Sequence, residues 1–111
     1  MEDLTASGLL DETLVAMYGE FGRTPKINKK TGRDHWGALQ SAVLAGGGIQ
    51  GGQVYGRSDK QSAHPIDQPV APEDIHATMY HALGIPPETV IHDQFRIPRR
   101  ICDGRPLTAL F

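Results

Sequence analysis

A chain of 111 residues has room for one small domain and one core, and with 39% hydrophobic and 22% charged residues it is neither a disordered tail nor a membrane-embedded protein. A formal net charge of −2 argues against nucleic acid as the main partner, because the phosphate backbone demands a basic surface. No apolar stretch approaches the ~18 residues that cross a bilayer, no basic-then-apolar segment marks a signal peptide, and the single Cys102 cannot close an internal disulfide.

Residues 2–7 read as the end of a helix that stops at Gly8, where glycine tolerates the left-handed conformation. Residues 13–18 form an apolar run of strand length bounded by turn residues, which predicts a buried strand. Its end runs into Gly-Glu-Phe-Gly-Arg-Thr-Pro at 19–25, so Glu20 falls at the carboxyl end of that strand, where open α/β sheets place their ligands. A long polar loop follows over 20–35; loops beyond about 12 residues inside compact domains tend to be functional or mobile. Residues 38–45 are a second candidate strand and 53–56 a short third, separated by the glycine run 46–52. The stretch 58–70 reads as irregular. Pro72, Glu73 and Asp74 open the clearest helix, with Ile75, Met79 and Leu83 as its core face toward a sheet and Gly84 as its stop. A hairpin turn is expected at Asp103-Gly104.

Three groups bear chemistry. Asp34-His35 joins a carboxylate and an imidazole, ordinary ligands of zinc and similar divalent ions, beside Trp36 and between glycines. The plain alternative is a structural pair that closes a loop. Glu20 and Arg23 come second: a strand-end carboxylate can hold a metal and an arginine can clamp phosphate or sulfate with two parallel bonds, while the plain alternative is an ion pair within one loop. The glycine run 46–52 comes third. No Gly-Lys-Ser/Thr follows it and its spacing is not a dinucleotide fingerprint, so it reads as a tight connection. His76 and His81 are five apart, not the four that align two ligands on one helical face, and read as surface or packing residues. His64 is a minor site candidate, the setting of His92-Asp93 is a surface turn, and Cys102 reads as a buried structural thiol.

Six segments then carry a resemblance in their joint order: Gly-Leu-Leu-Asp-Glu-Thr-Leu-Val at 8–15, Gly-Glu-Phe-Gly-Arg-Thr-Pro at 19–25, Gly-Arg-Asp-His-Trp at 32–36, Leu-Ala-Gly-Gly-Gly-Ile at 44–49, Val-Tyr-Gly-Arg-Ser-Asp at 54–59, and the helix with its stop at 72–85. Over nearly its whole length the chain resembles the carboxyl-terminal part of a bacterial domain-of-unknown-function family, abundant in planctomycete-type genomes and often labelled sulfatase-like. That family is similar to the alkaline phosphatase and sulfatase superfamily. The resemblance implies an α/β fold, in which residues 1–111 are the carboxyl-terminal fragment of an alkaline-phosphatase-like three-layer domain. It implies a divalent metal (zinc, calcium or manganese) held by Glu20 and His35, with Asp34 as ligand or orienting partner, and an anionic ester held by Arg23. Glu20-Phe21 stands where the superfamily pattern has Asp-His, so at least one ligand is lost, and the nucleophile region has no counterpart here.

The resulting expectation is part of a metal-dependent sulfate or phosphate ester hydrolase, inactive as this fragment, with the catalytic nucleophile unknown. Its partners are a small anionic ester and the missing amino-terminal half of the same fold, with no nucleic acid and no membrane. The resemblance further implies export to the periplasm or beyond, by a twin-arginine signal upstream. Two rivals stand beside it. One is a binding or scaffold domain that kept the fold and lost the chemistry; the other is a free-standing small domain that binds a partner.

Overall fold

The computed structural model describes all 111 residues. In chain order the elements are α1 (Glu2–Ala6), a 3-10 turn (Leu9–Glu12), β1 (Val15–Tyr18), β2 (Gly22–Arg23), β3 (His35–Trp36), β4 (Ala42–Ala45), β5 (Arg57–Ser58), β6 (Pro65–Asp67), α2 (Pro72–Ala82), β7 (Val90–His92), β8 (Pro98–Arg100) and a closing 3-10 turn (Thr108–Leu110). The strands pair two by two, β1 with β4, β2 with β3, β5 with β6 and β7 with β8. Thirteen glycines and eight prolines keep the regular elements this short, since each proline removes a ladder donor and each glycine weakens a strand. No helix is long and apolar enough to cross a membrane.

The residues gather into two compact units. One holds Met1–Leu14, Ala45–Gly51 and Val70–Phe111, the other Val15–Leu44 and Gly52–Pro69.

In the first unit α1 stops where expected, with Gly8 at φ 74°. The glycine run is the tight connection its spacing implied. Gly46 has φ 72°, and a side chain there would strike the carbonyl oxygens of Leu10 and Thr13. The Gly47 N–H donates to the Leu10 oxygen at 3.0 Å, and the Gln50 N–H to the Leu110 oxygen at 2.7 Å.

The helix α2 spans the expected residues, but its buried face is different. Ala77 and Thr78 have no exposed surface, whereas Leu83 is 69% exposed and Ile75 and Met79 are half-buried. Residues four apart drift about 40° per step around a helix, so 75 and 83 do not share one narrow stripe. The stripe that docks is polar. It follows helical spacing through Asp74, Thr78 and His81 and lies along the tail, not along a sheet. Asp74 Oδ1 accepts the Arg105 N–H at 2.8 Å, Thr78 Oγ1 accepts the Leu107 N–H at 2.9 Å, and the His81 ring meets Phe111 edge-on at 4.9 Å. Cys102 joins this seam, its thiol donating to the Glu73 oxygen at 3.3 Å.

Asp74 also accepts the Ala71 N–H at 3.0 Å, the reach-back half of a capping box. Burial pushes its carboxyl up, but the Arg105 and Ala71 N–H bonds and the Arg105 charge outweigh this and hold it below the ordinary carboxylate value. A depressed carboxyl stabilises the fold above its unfolded pKa of about 3.9, and that contribution is lost as pH falls through the folded value. Asp74→Asn is therefore expected to lower stability by about 1 kcal/mol at neutral pH. The gap to the parent should close below pH about 4 in acid titrations of urea midpoints.

The expected hairpin at Asp103-Gly104 does not form. The N–H groups of Gly104 and Arg105 go to Cys102 Sγ and to Asp74 instead of to a facing strand. The hairpin of this region is β7–β8, antiparallel with Ile91 opposite Arg99. Its tip is held by Asp93 Oδ1, which accepts the N–H groups of Phe95 and Ile97 at 2.9 Å each.

In the second unit β1 lies within its expected run but is not buried: Val15 and Ala16 are half-buried, and Met17 and Tyr18 are exposed. β4 is its one strand partner, so its other edge has no neighbouring strand. The expected strand over 53–56 is not assigned as a strand, Val54 being 94% exposed, and strand pairing begins at Arg57. The supposedly irregular stretch contains β6, antiparallel to β5, with Pro65 at its first residue, a position proline tolerates.

Candidate functional site

The two motifs at 19–25 and 32–36 are the arms of one hairpin. Strands β2 and β3 are antiparallel, with Gly22 opposite Trp36 and Arg23 opposite His35. Gly22 makes this pairing possible, because a side chain there would run into the Leu39 carbonyl oxygen.

The connecting loop is internally tied. Asn28 Oδ1 accepts the N–H groups of Lys30 and Gly32 at 2.9 and 3.1 Å, while its Nδ2 donates to Asp34 Oδ1 at 2.8 Å. The Asn28 N–H donates to the Gly32 oxygen at 2.8 Å. Thr24 Oγ1 accepts the Asp34 N–H at 3.1 Å and donates to the Lys26 oxygen at 2.9 Å. The Arg33 guanidinium donates to the Thr24 oxygen at 2.7 Å and to the Pro25 oxygen. An asparagine bonding backbone two and four residues ahead is a turn-forming device, and here it organises the eleven-residue connection 24–34 without regular structure.

Side chains alternate across strands, so Phe21, Arg23 and His35 share one face of the hairpin. The His35 ring stacks on Phe21 with centroids 3.8 Å apart and planes 26° apart. The Arg23 guanidinium lies 5.4 Å from the same ring centroid. One aromatic ring thus carries a guanidinium and an imidazole, an arrangement that attraction between the cation and the ring face stabilises. Arg23 donates once, to the Arg33 oxygen at 3.3 Å. A guanidinium has five N–H donors, and Arg23 is exposed, so the others face solvent. Chemically, this face presents a planar cationic fork beside a titratable ring, a pair that suits a tetrahedral oxyanion.

Glu20 is exposed at the bend before β2, and Asp34 and His35 are exposed on the other arm. The hairpin therefore brings the two motifs side by side. It does not bring the three proposed metal ligands into one cluster, since no group of three or more His, Cys, Asp or Glu side chains in the chain could hold a metal ion. Asp34 is engaged with Asn28, and His35 lies against Phe21. Zinc takes four protein donors in closed sites and three in open ones, more than these residues gather on their own.

Phe21 escaped the sequence reading, where it counted as a lost ligand. The signal that finds it is its spacing of two from Arg23, the strand period. His64 stands on the other side of the hairpin, edge-on to Trp36 at 5.5 Å. His76 and His81 are exposed, and His92 lies on β7 with no link to Asp93 beyond adjacency. Cys102, expected to be buried, is only half-buried, where its thiol bonds the Glu73 oxygen in the α2 seam.

No curated protein and no solved structure matches the chain. The family model described as Protein of unknown function (DUF1501) matches residues 1–111, and the chain belongs to that family.

Proposed function

We propose that this chain is the oxyanion-recognition part of a hydrolase of sulfate or phosphate esters and is not catalytic by itself. The observation that carries the proposal is the cross-strand pair Arg23 and His35, exposed together on Phe21. Arg23 would hold the ester oxygens with two parallel bonds, and His35 beside it would hold or release a proton at the leaving oxygen. On this reading the four strand pairs are parts of an alkaline-phosphatase-like three-layer α/β domain, and the enzyme acts outside the cytoplasm. Its divalent metal, whether zinc, calcium or manganese, is not held by this chain's Glu20, Asp34 and His35 alone. The nucleophile that would split hydrolysis into two easier steps belongs to another segment, since no Ser, Thr or Cys here sits beside an activating base.

A second reading, a binding or scaffold domain, draws on the absence of a three-donor cluster. Two measurements test the proposal, and the second separates the two readings. The purified chain should show no turnover of aryl sulfate or aryl phosphate esters, with or without added zinc, calcium or manganese. Metal-dependent turnover that disappears in His35→Ala would overturn the claim that it is not catalytic alone. Calorimetric titration with inorganic sulfate should show binding that Arg23→Ala weakens by about tenfold or more, the worth of one charge-assisted hydrogen bond. Sulfate binding indifferent to Arg23 would leave the scaffold reading.

A further inference from the structure

The face of the hairpin opposite Arg23 and His35 borders a second feature. Thr24, Asp34 and Trp36 alternate onto that side, and there they help line an open groove of about 590 Å³. This size lies within the range of small-molecule sites. Its floor is Trp36, half-buried and held in place by its indole N–H, which donates to the Ala63 oxygen at 2.6 Å, and by the His64 ring against its edge. Pro25, Ile27 and Ala63 give the groove apolar walls, and Lys26 and Lys29 give it cations.

Charge selects the ligand's head. Residues 23–35 carry Arg23, Lys26, Lys29, Lys30 and Arg33 against the single acid Asp34, in a chain whose net charge is −2. The Asp34 carboxylate is further drawn toward Asn28. An anion is therefore favoured here over a cation. Both groove cations are lysines, compact point charges that hold an anionic group without the planar geometry an arginine imposes.

Engagement of the polar groups selects the ligand's body. A sugar needs many hydrogen-bond partners, but Thr24 Oγ1 already accepts from Asp34 and donates to Lys26, and both ends of the Asn28 amide are bonded within the loop. Besides the Gln61 amide and the His64 ring, what is left for the body is the Trp36 indole and the aliphatic walls, which suit a flat apolar ring. We infer that the groove between the 24–29 loop and Trp36 is a binding site for a small aromatic anion, separate from the Arg23 and His35 face.

Trp36 is the only tryptophan in the chain, so its fluorescence reports on the groove floor directly. The probe is benzenesulfonate, which has no ester to hydrolyse, compared with methanesulfonate, benzamide and glucose 6-sulfate. Saturable change in Trp36 emission is expected with benzenesulfonate, at least about tenfold tighter than with the other three. The double variant Lys26→Gln/Lys29→Gln, which alters exposed side chains, should weaken it by about tenfold or more. Equal binding of benzamide would overturn the anion, equal binding of glucose 6-sulfate the aromatic body, and absence of a saturable response the site itself. Loss of the response in Arg23→Ala would place the anion on the opposite face and overturn the assignment, whereas failure of sulfate to bind at Arg23 leaves it standing.

Discussion

Valine in place of Thr78 is expected to destabilise the chain by about 1–3 kcal/mol, the usual result of leaving a buried donor unpaired. Thr78 has no exposed surface. Its hydroxyl donates to the Asp74 oxygen at 2.6 Å within the helix and accepts the Leu107 N–H at 2.9 Å from the tail. Valine keeps the volume and branching, so no cavity opens and the loss is electrostatic. Its isopropyl group, isosteric with the threonine side chain, still fits the seam, but the Leu107 N–H then faces carbon. In urea melts the midpoint should fall with an unchanged slope, because the surface exposed on unfolding is the same. Thr78→Ser should recover most of the loss. An unchanged midpoint for valine would mean that the Thr78 hydroxyl does not help to hold the α2 seam.

Gly22→Val should have the larger functional effect. The added side chain meets the Leu39 carbonyl oxygen and comes within reach of the Trp36 oxygen, both backbone atoms that cannot swing aside. Overpacking of this kind costs about 1–3 kcal/mol where the surroundings can yield, and more where they cannot. The β2–β3 pairing is the link that sets Arg23 beside His35 on one face and Trp36 over the groove on the other. One substitution should thus abolish sulfate binding and the benzenesulfonate response together, with loss of the near-UV circular dichroism of Trp36. A variant that keeps either response would show that the hairpin is not the common support of both faces.

The aliphatic side chains of α2 illustrate why part of the fold was not legible. A search for apolar residues at helical spacing selects Ile75, Met79 and Leu83, yet the docking stripe is Asp74, Thr78 and His81. Its periodicity is as regular as an apolar one, but hydrogen bonds to the tail replace burial of carbon. The same competition explains Asp103-Gly104, a strong turn pair by composition whose neighbouring N–H groups are taken by Asp74 and Cys102. Strand β1 was misjudged in burial, not in place, because burial depends on what lies across a strand and no residue within 13–18 records that.

Local features were set by the chain alone. Gly8 in the left-handed region, the opening of α2 at Pro72 with two acids in its first turn, and the tight glycine connection at 46–48 each follow from one residue's conformational freedom or from contacts a few residues apart. The residue types of the candidate site, Glu20, Arg23, Asp34 and His35, were likewise legible, because guanidinium, carboxylate and imidazole chemistry travels with the side chain. Their arrangement was decided by tertiary structure. Pairing of residues 12 positions apart set Arg23 against His35, both came to lie on the Phe21 ring, and the Trp36 indole found the Ala63 carbonyl 27 residues away. Such pairings depend on loop closure and on which backbone groups find partners, and no local pattern encodes either.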